Sequence, residues 1–266
     1  MHVNFIRSQD ELLHCQMQQM YQQEFNDVGN PKFQLSVEDK QALASMEQSV
    51  TKVNGHYQLG LPWKSNDSKL PKNRNVAEKR LLQLKCRFLK DEEFFRQYRS
   101  KIHEYLDQGY ARCVPNGTAT CSSRTWYLPH HATGRKFRIV FDCAARHNGT
   151  SLNEELLQGP DHTSSLVGVI LRFREKPVVV VADIKAMFHQ VRVKPEDCDS
   201  LRFLWWPDDD LTKSPIDYQM LVHLSGATSS PSICGFALRK VAEDNEKSVS
   251  PEMTNAIRRN FMLMIF

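Results

Sequence analysis

The chain has 266 residues, 41% hydrophobic and 25% charged, which is ordinary globular material with length for one large domain or two small ones. Its net charge of +4 permits a polyanionic partner without requiring one. Seven scattered cysteines with no Cys-x-x-Cys favour reduced thiols in an intracellular compartment, cytoplasm or nucleus, over a disulfide frame.

Residues 1–35 are Gln-rich and weakly helical around Glu11–Phe25; acids and amides among the apolar residues argue against a signal peptide. No apolar run is long enough to cross a membrane, so no membrane partner is expected. Ser36 and Asp39 form a capping box for a helix reaching about Val50. Asn54-Gly55 between two short β-prone runs predicts a type I′ hairpin. After a polar linker, Lys64 to Arg74, Asn75 and Glu78 cap a second helix with Leu81, Leu84 and Phe88 on its apolar side, widened by Leu82 and Leu89. A third helix begins near Asp91, places Phe94, Tyr98, Ile102 and Leu106 on one face, and ends at Gly109.

Past Pro115 the texture changes to short strands, Thr125–Leu128 and Phe137–Asp142. A helix is expected over Ser164–Glu175, a turn at Pro195-Glu-Asp and a strand over Leu201–Trp206. Asp208-Asp-Asp reads as a hairpin tip, Tyr218–Leu224 as a strand, and the residues after Gly226–Pro231 as a helix through Ala242. Cys113, Cys121, His130 and His131 could be drawn as a zinc set, but their spacing fits no usual pattern.

The most informative segment is Val178-Val-Val-Val-Ala-Asp-Ile-Lys-Ala-Met-Phe188. Four successive valines read as a strand buried on both faces, which delivers the carboxylate of Asp183 to its end. An unpaired buried Asp is costly, so such a strand offers it to a metal, a ligand or a cation. The plainer alternative is a loop Asp capping the next helix.

Four features in fixed order resemble a reverse transcriptase. Asp183 and Phe188 resemble the first metal-binding motif, Asp-x-x-x-x-Phe/Tyr. Phe137–Asp142 resembles the fingers strand whose arginine, here Arg138, grips the incoming triphosphate, and Gly226-Ala-Thr-Ser-Ser-Pro231 resembles the turn beneath the templating base pair. Tyr127-Leu-Pro-His-His131, Ser151-Leu-Asn153, Leu157-Gln-Gly-Pro160 and Pro195-Glu-Asp-Cys-Asp199 are similar to the Bel/Pao group of LTR retrotransposons. The resemblance covers about residue 10 to the end. Each motif alone is weak; a basic strand is usually a solvated face and a Ser-Ser-Pro segment usually only a turn.

The resemblance implies an α+β fold. Residues 1–110 would form a helical N-terminal extension, 111–177 a fingers-like region and 178–266 a partial palm. It implies RNA-directed DNA polymerase chemistry, with RNA or DNA template–primer and deoxynucleoside triphosphate as partners. Two Mg2+ ions would clamp the displacement, with Asp183 bridging both and the carbonyl of Ile184 completing one. Arg138 would supply a guanidinium fork for phosphate, and Gly226 would let backbone approach the nascent pair. Phe188 would stand where a 2′-hydroxyl would sit, and core packing beside the buried strand is compatible with that role.

Two departures qualify the resemblance. Ser225 stands where relatives carry a bulkier or amide residue. Relatives continue Asn-Phe-Tyr-Val-Asp-Asp, where this chain reads Asn260-Phe-Met-Leu-Met-Ile-Phe266, so the second carboxylate pair is missing and the chain by itself is expected to be inactive. The codons TTT ATG TTG ATG ATT TT- encode Phe261–Phe266, and the same letters read from the third base encode Tyr-Val-Asp-Asp, which predicts a single-nucleotide frameshift. Alternatives are a residual nucleic-acid-binding module using Arg124, Arg135, Lys136 and Arg138, and an inert, poorly folded product. Oligomeric state is not legible.

Overall fold

The structure, a computed structural model, describes residues 35–115, 123–133, 137–175 and 177–261. The helix expected around Glu11–Phe25 lies outside them.

Local chemistry sets the first elements. Helix α1 (Val37–Ser49) starts on the expected box: the Asp39 amide donates to Ser36 Oγ at 3.0 Å, and the Ser36 amide donates to Asp39 Oδ2 at 3.3 Å. Strands β1 (Thr51–Val53) and β2 (His56–Leu59) pair antiparallel through Asn54 and Gly55, whose φ values of 51° and 82° are those a type I′ turn demands. β2 then pairs in parallel with the two-residue β6 (Arg192–Val193), Leu59 opposite Val193, which pins the N-terminal hairpin to the second half of the chain.

Helix α2 (Arg74–Phe88) departs from expectation at its start. It begins behind Asn73, not Asn75, and the Asn73 side chain does not cap it. Instead its amide grips the Tyr127 backbone, donating to the carbonyl at 2.7 Å and accepting from the N–H at 2.8 Å. A tertiary partner has outcompeted the cap. The buried side is also narrower: Leu81 and Phe88 are buried, while Leu82 and Leu89 are 46% and 70% exposed. Helix α3 (Glu92–Asp107) follows expectation, with Asp91 Oδ1 accepting from the Phe94 amide at 2.9 Å and Phe94, Tyr98 and Ile102 buried.

Strand β3 (Ala111–Cys113) pairs with β8 (Ile216–Met220), which pairs with β7 (Arg202–Trp205), all antiparallel. Asp208 and Asp209, at φ 56° and 59°, make the expected bend between β7 and β8. β8 opens two residues before the expected strand and closes at Met220; Val222–Leu224 is buried but outside it. Strand β4 (His130–Thr133) pairs with β5 (Arg138–Phe141). The strand expected at Thr125–Leu128 supplies one bridge, Tyr127 to Arg202. Trp126, Phe203, Trp205 and Trp206 fill the core between the β3–β8–β7 sheet and helices α2 and α3, with Tyr98 stacked on Trp205 at 5.4 Å between centroids. The short α4 (Leu152–Glu155), α5 (Leu166–Phe173), α6 (Ser230–Asp244) and α7 (Pro251–Asn260) complete the chain; α7 was not expected.

The valine strand is the main correction. Residues 178–184 form no strand, and Val178, Val180 and Val181 are 79%, 85% and 80% exposed. A strand buried on both faces needs pairing partners at its edges and a layer over each face. Among the described residues nothing pairs with this segment, and the preceding α5 leaves Leu166, Val167 and Ile170 exposed as well. Apolar patterning encodes a capacity for burial; a neighbour has to be present to realise it.

Candidate functional site

The residues singled out by resemblance sit in different settings. Asp183 sits exposed at the end of the unpaired valine segment, with Ile184 half-buried beside it. Among the described residues no group of three or more His, Cys, Asp or Glu is placed to hold a metal ion. One exposed carboxylate and one carbonyl do not make a seat for two Mg2+ ions, which need several oxygen ligands to offset their mutual repulsion. Arg138 lies exposed at the start of β5, on the strand face opposite the buried Ile139 and Phe141. No ion pair or hydrogen bond engages its guanidinium among the described residues.

Phe188 belongs to the 3₁₀ turn Met187–Gln190, entered through Ala186 at φ 50°. It packs half-buried against a second apolar cluster that includes Met46, Tyr57, Leu157 and Ile233. Of the two uses the sequence left open, core packing is the one this geometry displays.

Gly226 does require glycine, for a reason inside the fold. A Cβ there would collide with the carbonyl oxygen of Phe141, the last residue of β5. Asn153 locks the same turn from the other side: its Nδ2 donates to the Gly226 carbonyl at 3.0 Å, and its Oδ1 accepts from the Thr228 amide at 2.9 Å. Gly159, at φ 78°, packs so closely on Ser232 that a Cβ would stand 2.6 Å from its Oγ. Three neighbouring stretches, Phe137–Asp142, Ser151–Asn153 and Leu157–Pro160, therefore meet the distant Gly226–Pro231 turn at the N-terminal end of α6. Beside that point lies a cavity of about 220 Å3 walled by Gly159, His162, Met187, Thr228, Pro231 and Ser232. Burial holds His162 down to about 4, so its ring is neutral at pH 7. The Ser232 hydroxyl and His162 Nε2 are buried without a partner among the described residues, but both atoms are occluded from the cavity surface.

The remaining motif residues are anchors. Asp197 is 4% exposed and accepts from the Leu61 amide at 2.7 Å and from Trp63 Nε1 at 2.8 Å; burial nonetheless pushes its pKa up. Asp199 and Asp217 flank the buried Arg202 guanidinium, at 2.8 and 3.2 Å. Tyr127 donates its hydroxyl to Asp217 at 2.5 Å. His130 rules out the zinc set, since Nδ1 faces the Tyr98 hydroxyl at 2.5 Å and Nε2 faces the Leu204 carbonyl at 3.0 Å, leaving no free nitrogen. Arg124 is also committed, to the Ser65 and Asn66 carbonyls and over the Trp63 ring. Cys121, Arg135 and Lys136 lie outside the described residues. Sequence reasoning missed the roles of Asn73 and Asn153, because the partner of each lies far along the chain.

No protein-family model matches the chain, and no curated protein matches it. Among the described residues, no helix is long and apolar enough to cross a membrane.

Proposed function

We propose that this chain is a fragment of a retrotransposon RNA-directed DNA polymerase of the Bel/Pao kind, comprising fingers and the first part of the palm behind a helical N-terminal extension. The observation that carries the reading is the convergence at the start of α6. The stretches that resemble the family were chosen by residue type and order alone, yet Asn153 hydrogen-bonds Gly226 and Thr228, Gly226 abuts Phe141, and Gly159 abuts Ser232. What supports the reading is that the resembling residues of the 137–160 region pack on the resembling turn at 226–231 and on the start of α6 just after it.

The fragment of residues 1–266 is proposed to be catalytically silent. Nucleotidyl transfer of this class needs two ions held by several carboxylates, and the described residues bring no group of three metal-ligating side chains together. What this chain's own residues retain is Arg138, exposed and unengaged on β5, which is suited to bind phosphate.

Primer extension on RNA and DNA templates, with magnesium or manganese, tests the reading. No incorporation is expected, together with triphosphate binding that Arg138→Ala weakens more than it weakens duplex binding. Incorporation that disappears in Asp183→Ala would show a working site and sink the proposal of silence. Triphosphate binding indifferent to Arg138→Ala would sink the assigned role of β5.

A further inference from the structure

Helix α2 lies outside every motif of the family resemblance, and it is the most basic element among the described residues. Between Arg74 and Phe88 it carries five basic residues and one acid, a surplus equal to the net +4 of the whole protein. Arg74 is already engaged, with Asp217 at 3.2 Å and Glu78 at 3.1 Å. Lys79, Arg80, Lys85 and Arg87 form no ion pair among the described residues.

These charges are not simply spread over a solvated face. Arg80, Gln83, Leu84 and Arg87 stand at helical spacing on one side of α2 and form one wall of a cleft of about 240 Å3. The facing wall is Pro129, His130 and His131, with Asp142 at the end of the β4–β5 pair. The Arg87 guanidinium lies over the Phe94 ring, 3.7 Å from its centroid, so its orientation is fixed before any ligand arrives. His131 is exposed on β4, whereas both nitrogens of His130 are committed inside the core and contribute shape only.

Seven residues of helix place Arg80 and Arg87 about 10.5 Å apart along the axis. Three nucleotides of a stacked strand, at ~3.4 Å each, span the same distance. Arginine forks take phosphate oxygens in pairs, and a groove between a helix and a hairpin suits a strand-shaped polyanion better than a flat layer of headgroups.

We propose that this cleft is a seat for the phosphodiester backbone of single-stranded nucleic acid, separate from Arg138 and Asp183 and independent of whether the chain descends from a polymerase. Asp142, whose carboxylate accepts from the Ala144 amide at 3.2 Å, is the opposing charge in the cleft and makes affinity adjustable in both directions.

The test is fluorescence anisotropy of labelled oligothymidine with the whole chain across a salt series. Arg80→Gln should weaken binding several-fold, and Arg80→Gln with Arg87→Gln on the order of ten-fold or more. Each lost phosphate contact should also flatten the log–log salt slope by roughly 0.7, the single-strand increment. Asp142→Asn should tighten binding. Thermal melts of each variant separate a binding defect from a folding defect, and the Arg80→Gln variant leaves the Arg87–Phe94 contact untouched. Three results would overturn the proposal: no binding of oligothymidine at low salt by the folded chain; an unchanged affinity and slope in a folded Arg80→Gln protein; or binding to phosphatidylserine vesicles in place of the oligonucleotide. Loss of all oligonucleotide binding in Arg138→Ala, with Arg80→Gln silent, would place the strand on β5 and overturn it equally.

Discussion

Acid should unfold this protein through histidines that the fold keeps neutral, of which His130 and His223 are the most deeply buried. His130 and His223 are 7% and 1% exposed, and burial holds each down to about 4. The His130 ring fits its site only as the Nε2–H tautomer, donating to the Leu204 carbonyl while Nδ1 accepts from the Tyr98 hydroxyl. His223 turns Nε2 to the Leu59 carbonyl at 3.3 Å, and its Nδ1 is buried without a partner among the described residues. In the unfolded chain each imidazole titrates near 6.5. Below that value the unfolded state binds protons the folded state refuses, so stability is complete above about pH 6.5 and is lost as pH falls toward the folded pKa of about 4. Each histidine contributes a slope of about 1.4 kcal/mol per pH unit, or roughly 3 kcal/mol over the interval. Against a typical stability of about 5–15 kcal/mol, two such groups are a large share. Asp197 acts with the opposite sign: its carboxyl is raised by burial, so the folded state takes that proton first and gains stability as pH falls through the raised value. Urea midpoints followed through the buried Trp126, Trp205 and Trp206 should fall steeply below neutrality. A midpoint independent of pH from neutrality to mild acid would refute the reasoning. So would an unchanged slope in a folded His130→Gln, His223→Gln double variant.

Three further outcomes follow from the geometry. Val180→Lys should change stability by no more than about 0.5 kcal/mol, or ~2 °C in Tm, because the side chain is 85% exposed; a loss of several kcal/mol would restore the buried strand. Asn153→Ala should cost about 1–3 kcal/mol by stranding the Gly226 carbonyl and the Thr228 amide, and the Thr228 N–H should exchange faster with solvent; unaltered exchange would mean Asn153 is not the clamp. The coding DNA after Asn260 should read TTT ATG TTG ATG AT, and a CTN codon for Leu263 would end the frameshift reading, since it puts alanine where the second frame requires valine.

Legibility in this chain tracks how local the deciding chemistry is. The Ser36–Asp39 box, the Asn54-Gly55 turn and the Asp91 cap were readable because each is settled within a few residues. Asn75 was mistaken for a cap because nothing near Asn73 announces that Tyr127, far along the chain, will claim its amide. The valines failed for a related reason: their pattern states what they could bury, and the partner that would bury them is not among the described residues. The same division runs through the site. That Gly226 tolerates no side chain was readable from its motif, but what presses against it is the Phe141 carbonyl, a partner only the fold could supply. Phe188 likewise packs against the second apolar cluster, the one that holds Met46 and Ile233. In the proposed polymerase reading the glycine would also serve a bound base pair, because the rigidity Asn153 and Phe141 impose on the turn is what a template contact would need. The packing reading and the polymerase reading of Gly226 therefore differ in what the turn holds up, while agreeing that it must not move.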